Sequence, residues 1–454
     1  VAMGVRAQQP VTSTPETAQT AVIMDLETGE IVASCNPYMM LTPASLTKMI
    51  TTAAGLEYLG EDFRFKTQMR FGKSGSLQDE LTIRADGDPT IGSTHFTECT
   101  MGKVVAQFMQ SLPADKKIDK YDVVLEDYYF TGAPYVSKRL WEDMGNYYGA
   151  AYGTYNIGDN AQVVHLTSNA NSVWQSTKGE KGKAERVDKE KMTIYAKTYA
   201  GKSDSAYIYG IGTKGRYISG AIPVNKVEFQ VKAAMGNPEE EYLDQLSRAL
   251  VGAGMKEPQK LLTTKVPKKT EGRLVATYQS PRLLDIIKVT NQKSVNLFAD
   301  AICYALGRQE KEGIEGGMTS NWDDAMARLR QYADKSMGRQ VGAKLYDGAG
   351  LSPMNAISAY QMASMLRYIY NQQYYKSYRS TLATSGQSGT LRSFGKGTKL
   401  EGKIDGKSGS MTGVVAYAGY ILDKYSFCII FNNAPEERNE VRRQMVKWLI
   451  QWGL

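Results

Sequence analysis

Histidine is almost missing from this sequence: His95 and His165 are the only two in 454 residues. That leaves little room for a Ser-His-Asp triad, so a serine nucleophile here needs another base, and lysine is the available amine. Cysteine is scarce as well. Cys35, Cys99, Cys303 and Cys428 show no CxxC spacing, and with two histidines they make no zinc cluster. Cys303 in LFADAICYAL and Cys428 in FCIIF lie in apolar stretches and read as buried thiols. Long hydrophobic runs are lacking too. VVAYAGYI (414–421) and FCIIF (427–431) are of strand length, far short of the roughly 18 residues of a membrane span. No basic run of five or more residues and no nucleic-acid motif accompanies the formal charge of +8, so no nucleic-acid partner is expected. No motif asks for a cofactor or metal, and no repeat of domain length is found.

What is present is an ordinary folding composition, 42% hydrophobic and 22% charged, in a chain long enough for two or three domains. The positive charge suits an anionic polymer or a peripheral place at a wall or membrane surface. Residues 1–19 are polar and rich in Thr, Gln and Pro, without an initiator Met. They read as a mature or trimmed N-terminus, with VRAQQ as the remnant of a signal cleavage site.

Along the chain, AVIMDL and IVAS flank ETGE as a hairpin. TPASLTKMITTAAGLEYLG starts a helix near Pro43 and Ser45 and stops it at Gly60. FKTQMRF and ELTIRA read as strands joined by a loop at GKSGS (72–76), and MTIYAKTYA and KVEFQVKAA as further strands. The polar KVPKKTE (265–271) marks a boundary. After it come the helices PRLLDIIKVTNQ and SVNLFADAICYALGRQ, with SVN at their junction. Two more helices and three successive strands follow, the first being KIDGKSGS, and an amphipathic helix closes the chain.

Three short motifs occur in order: Ser45-Leu-Thr-Lys48, Ser294-Val-Asn296 and Lys407-Ser408-Gly409. Each has a decoy, in Ser393-Phe-Gly-Lys396, Ser34-Cys-Asn36 and a second KSG at Lys73. Secondary-structure context separates them. On a helix, Ser45 and Lys48 share a face within hydrogen-bonding reach, whereas Ser393 lies in a Gly-rich loop. To take the Ser45 proton near neutral pH, Lys48 must be held well below the usual lysine value of about 10.4, at a differential cost of about 4 kcal/mol. The helix N-terminus and a second cation, Lys407, act in that direction.

With these motifs the chain resembles the low-molecular-mass, class C penicillin-binding proteins. More closely, it resembles the D-alanyl-D-alanine carboxypeptidase/endopeptidase family (peptidase S13-like), which carries a large insertion after SxxK. The likeness extends to ADGDPT (85–90), WEDMGNYYGAAYG (141–153), ISGAIPV (218–224), YDGAGLS (346–352), SGTLRSF (388–394) and KSGSMTGVVAYAGYI (407–421). Val295 and Ser408 depart from the family, which more often has a polar residue and Thr there. The implied fold is α/β (α+β): a serine β-lactamase/transpeptidase-like core, with an antiparallel sheet flanked by helices, and a large mixed α/β insertion. The expected division is 20–66 and 266–454 for the core and 67–265 for the insertion.

The resemblance implies that Ser45 attacks a D-Ala-D-Ala carbonyl with Lys48 as base. Ser294 and Lys407 relay a proton, and Asn296 holds Lys48 and the substrate amide. Lys407, Ser408 and Ser410 receive the terminal carboxylate, with Gly409 between them and the N–H groups of Ser45 and Ser410 facing the oxyanion. The partners implied are peptidoglycan stem peptides ending in D-Ala-D-Ala, and β-lactam antibiotics as covalent inhibitors. The implied place is extracytoplasmic, periplasmic or wall-associated, with no cofactor. ADGDPT and YDGAGLS are expected to be structural turns, and the aromatic residues of WEDMGNYYG core. Of the two GKSGS copies, the one at 406–410 is expected to act and the one at 72–76 to be a turn. A β-lactamase is the rival enzyme, but SxxK and SxN lie too far apart for that compact fold, and Tyr-x-Asn is absent from the sequence. A non-catalytic wall-binding module is the other alternative; its hallmark, a broken motif, is missing.

Overall fold

Apolar runs from the two ends of the chain meet in one antiparallel sheet. In this computed structural model, which describes residues 10–11, 16–73, 79–113, 118–133, 135–176, 190–266, 272–314, 316–338, 342–434 and 438–454, the chain forms two compact units. The first comprises residues up to Arg64 with Pro281–Gln309 and Ser320–Leu454; the second is Phe65–Ser280 with Glu310–Thr319.

In the first unit the strand order is Ala383–Thr384, Ile404–Met411, Val414–Ile421, Tyr425–Asn432, Ala18–Asp25, Ile31–Cys35. Every neighbouring pair is antiparallel. The hairpin 18–35 turns where Asp25 Oδ1 accepts the N–H groups of Glu27 and Thr28. All eight residues of Val414–Ile421 are buried, as expected for an interior strand covered on both faces. One face, carrying Ile23, Val415, Tyr417, Phe427 and Ile429, packs with Met445, Trp448 and Leu449 of the C-terminal helix Arg438–Gly453. The other receives helix Ala359–Tyr370. Helix Asn296–Leu306 is buried from Leu297 to its end and packs against helix Thr47–Leu59, so the two helices bearing the first two motifs are held by the core itself.

The second unit is built on a five-stranded mixed sheet in the order Leu261–Thr264, Tyr121–Glu126, Asp79–Ala85, Lys66–Lys73, Arg273–Gln279. Helices Met101–Ser111 and Pro238–Gly252 contribute Val104, Phe108, Tyr242 and Leu246 to its core. A smaller three-stranded sheet has the order Phe229–Ala234, Ala161–Ser168, Val173–Gln175.

Several details differ from the sequence expectations. MTIYAKTYA is not one strand but two short ones, Thr193–Ile194 and Lys197–Tyr199, in different sheets. The second unit ends at Ser280 rather than at 265 and includes residues 310–319. Strand Arg273–Gln279 pairs with Lys66–Lys73 and buries Ala276 and Tyr278 in the second unit's core, so its pairing overrides the polar segment before it. Trp141 and Tyr147 are 54% and 50% exposed, not core. Gly145, Asn146 and Gly149 take the buried positions of that segment instead. The expectations for 1–9, 12–15 and 267–271, and for Ser74, Gly75 and Ser76 of the first GKSGS, lie outside the described residues.

Candidate active site

Ser45 lies in a single 3₁₀ turn, Ala44–Leu46, that runs into helix Thr47–Leu59. It caps nothing: no side-chain cap bond is made at the start of either element. Its Oγ instead accepts from Lys48 Nζ at 3.0 Å. Ala44, just before it, has φ +49°, a conformation that costs a non-glycine residue energy and that surrounding structure must hold. Two glycines allow the holding. Gly350 has φ +80°, and a Cβ there would stand 2.0 Å from Ala44 O. A Cβ at Gly409 would stand 2.4 Å from Pro43 O. The glycine of KSG therefore lets its strand lie directly against the turn that carries the serine.

Lys48 is fully buried. Besides Ser45 it donates to Asn296 Oδ1 at 2.5 Å and to Ala349 O at 2.5 Å. The two oxygens fix the amine beside the serine. Ala349 belongs to YDGAGLS, expected to be merely a structural turn. Asp347 builds that turn: Oδ1 accepts from Gly350 N and Asn355 Nδ2, and Oδ2 from Leu351 N and Ser352 N. Thr51 Oγ1, one turn along the serine's helix, donates to Gly348 O at 2.7 Å. Thus the loop clamps the helix and supplies a ligand to its lysine. A backbone carbonyl has no residue-type signature, which is why the motif did not betray this role.

Ser294 occupies the tight junction between helices Leu283–Lys293 and Asn296–Leu306, in left-handed conformation with φ +58° and ψ +39°. The short turn brings Asn296 onto Lys48 and Ser294 Oγ onto Lys407, whose Nζ donates to it at 2.8 Å. Lys407 Nζ also donates to Ser408 O at 3.3 Å. The Lys407 side chain is fully buried. Burial pushes its amine well below the ordinary lysine range, and the charge of Lys48 adds to the effect. Among the described residues no carboxylate lies in ion-pair contact with Lys407, so nothing offsets the burial that favours its neutral amine.

On strand Ile404–Met411, Lys407 and Gly409 face inward, whereas Ser408 is half-buried and Ser410 exposed. The edge strand Ala383–Thr384 covers only Asp405 and Gly406. Ser408 N–H turns outward to Thr390 Oγ1 at 3.3 Å, so the two-residue period points Ser410 N–H off the same uncovered edge. In the first unit hydrogen bonds thus join Lys48 to Ser45 and Asn296, and Lys407 to Ser294 and Ser408, while Gly409 lies against the serine's turn and Ser410 follows it on the same strand. The decoys do not join this set: Ser393 and Lys396 are both exposed. Sequence reasoning missed Ala349, Asp347 and Gly350; Thr390, within the noted SGTLRSF, carried no assigned role. No group of His, Cys, Asp or Glu suited to a metal occurs among the described residues, and the four cysteines are buried thiols.

A serine held under a buried lysine, with a second buried lysine behind another serine and the N–H of Ser410 at a strand edge, can perform acyl transfer. Comparison with known proteins gives the same class. The chain is 26% identical to the penicillin-sensitive carboxypeptidase A of Dictyostelium discoideum, over 93% of this chain and 85% of that one. It is 24% identical to the D-alanyl-D-alanine carboxypeptidase of Actinomadura sp. (strain R39), over 88% and 74%. Its fold matches the crystal structure of penicillin binding protein 4 (dacB) from Haemophilus influenzae with a TM-score of 0.76, at 21% identity, covering 96% of this chain and 97% of the other. The sequence profile of the D-Ala-D-Ala carboxypeptidase 3 (S13) family matches residues 6–452, and the chain belongs to that family of serine peptidases.

Proposed function

We propose that seven of the eight residues above divide the reaction as follows, with Gly409 letting the strand lie against the serine's turn. Lys48, as the neutral amine, takes the Ser45 proton while Oγ attacks the carbonyl of the D-Ala-D-Ala bond. The N–H groups of Ser45 and Ser410 receive the oxyanion. Ser294, backed by Lys407, delivers a proton to the departing D-Ala amine, leaving an ester on Ser45 that water then hydrolyses. Asn296 holds Lys48 and the substrate amide, and Ser408 and Ser410 offer hydroxyls to the terminal carboxylate. The observation that carries this reading is that Lys48 Nζ stands 3.0 Å from Ser45 Oγ and is held there by Asn296 Oδ1 and Ala349 O. The assignment of Lys407 differs from the sequence expectation in one respect. Its buried amine, committed to Ser294 and Ser408, supports a proton-relay role and not direct contact with the carboxylate.

Family membership supports a further reading of substrate and place. Stem peptides ending in D-Ala-D-Ala are the substrates, β-lactams the covalent inhibitors, and the enzyme works outside the cytoplasm, where that polymer lies. Among the described residues no helix is long and apolar enough to cross a membrane. We assign the acylation machinery to the first unit and regard the second, 65–280 with 310–319, as an inserted accessory domain.

The test is labelling with a fluorescent penicillin followed by peptide mapping. The label is expected on Ser45, and Ser45→Ala is expected to lose it while keeping its melting transition. A label elsewhere, or none on folded protein, sinks the assignment. Digestion of purified peptidoglycan then measures the two activities: released D-Ala reports carboxypeptidase and cleaved cross-links report endopeptidase.

A further inference from the structure

The carboxylate end of the substrate needs a cation, and the KSG lysine is in the wrong place to supply one. Lys407 is fully buried, its Nζ turned to Ser294 Oγ and Ser408 O. The hydroxyls of its strand that reach solvent, Ser408 and Ser410, lie on the opposite face, as the two-residue period requires. At the outer end of that face lies a different positive charge. Arg438, the first residue of helix Arg438–Gly453, donates Nη1–H to Ser410 Oγ at 2.7 Å and Nη2–H to Met411 O at 3.1 Å.

We propose that Arg438 is the cation that recognises the substrate's terminal carboxylate, acting together with the Ser410 hydroxyl. The assignment rests on the acyl-enzyme reading of Ser45 given above.

Two features of the chemistry support it. A guanidinium has only donors, so the contact with Ser410 occupies a lone pair of Oγ and leaves the hydroxyl hydrogen free to point elsewhere. Ser410 is thereby fixed as a donor, the role that a carboxylate requires. Two of the five guanidinium N–H bonds hold the strand end, and the remainder stay available for a planar anion, the geometry in which arginine surpasses lysine. The amine of Lys407, by contrast, is driven toward neutrality by burial and by Lys48. A relay lysine that must give up its proton cannot also be a dependable anion anchor. The structure divides the two tasks between Lys407, inside, and Arg438, outside.

The experiment compares diacetyl-L-Lys-D-Ala-D-Ala with the same peptide ending in a carboxamide. For the full chain, the ratio of the two kcat/KM values measures recognition of the terminal charge. Wild type should favour the carboxylate, and Arg438→Gln should reduce the ratio about 10- to 100-fold, the span of one charge-assisted hydrogen bond. Arg438→Lys, which keeps charge but loses the fork, should lie between them, and it serves alone if the Gln variant does not fold. Ser410→Ala should add little once Arg438 is Gln, because the two act on one group. A ratio unchanged by both Arg438 substitutions, or equal losses on the two peptides as a merely structural role would give, overturns the proposal. Stoichiometric penicillin labelling of Ser45 in the same preparations keeps the readings apart. If Ser45 labels normally and the ratio does not move, only Arg438 is wrong; if wild type does not label at Ser45, the underlying mechanism fails and this assignment falls with it.

Discussion

Gly-Lys-Ser-Gly-Ser occurs at 72–76 and again at 406–410, and the two lysines share almost nothing else. Lys73 ends strand Lys66–Lys73 opposite Asp79, with its side chain exposed. Lys407 sits inside strand Ile404–Met411, fully buried, its Nζ 2.8 Å from Ser294 Oγ. Identical neighbours in sequence therefore give one solvated charge and one amine held well below its usual range. The difference comes from the next strand. Ile404–Met411 runs into Val414–Ile421, buried at every position, so the chain around Lys407 is drawn into the core, and Gly409 lets it press against the serine's turn.

The largest expected effect tests this contrast directly. Lys407→Ala should slow acylation by a β-lactam by about 100-fold or more, the scale of a lost proton-transfer group, as measured by second-order rate constants with a melting curve beside them. A loss below about threefold in folded protein would remove Lys407 from the chemistry.

The next effect asks whether burial perturbs a titrating group away from the site too. Asp88, of the ADGDPT turn in the second unit, is fully buried. Its Oδ1 accepts from Thr90 N and Oγ1, and its Oδ2 has no hydrogen-bond partner. Desolvation is the chief cause that pushes its carboxyl up to about 7, opposed by Thr90 and aided by Asp86. Because the folded value exceeds the unfolded one of 3.8, the unfolded chain releases this proton first as pH rises. Stability should therefore fall between about pH 4 and 7 and level off above, by an amount on the order of a few kcal/mol. Asp88→Asn keeps the Oδ1 acceptor and should flatten that part of the pH profile in urea unfolding. Parallel profiles for variant and wild type would refute the assignment.

The smallest effect is the control. Lys73→Ala should leave acylation within about twofold of wild type, since exposed substitutions usually stay within about 0.5 kcal/mol. Equal losses in the Lys73 and Lys407 variants would mean that secondary-structure context is the wrong criterion for choosing between the copies.

Much of the site was legible because its parts are local. A three-residue separation on a helix puts Ser45 beside Lys48, and a helix junction at SVN presents Ser294 and Asn296 to different partners. The six-stranded sheet was legible in outline, since its hairpin and the last two of its three successive C-terminal strands contain continuous apolar runs. The edge of the inserted unit was not. The polar stretch at 265 suggested a break, but strand Arg273–Gln279 returns to pair with Lys66–Lys73 across about two hundred residues, and a partner so distant leaves no mark on local composition. The outward turn of Trp141 and Tyr147 escaped for a similar reason: the glycines and Asn146 of their segment, not its aromatics, are what the unit buries.

The sequence by itself determined which residues are chemically able to act: lysines in place of histidine as bases, two serines at helix ends, and a glycine where a strand must come close. These follow from residue type and spacing, which act over a few positions. Only the tertiary structure decided which lysine loses its water and which keeps it. It also decided that Ala349 contributes through its carbonyl, and that an arginine from the last helix stands at the end of the KSG strand. Desolvation and long-range hydrogen bonds arise from residues brought together across the whole chain, and no window of sequence contains both sides of such a contact.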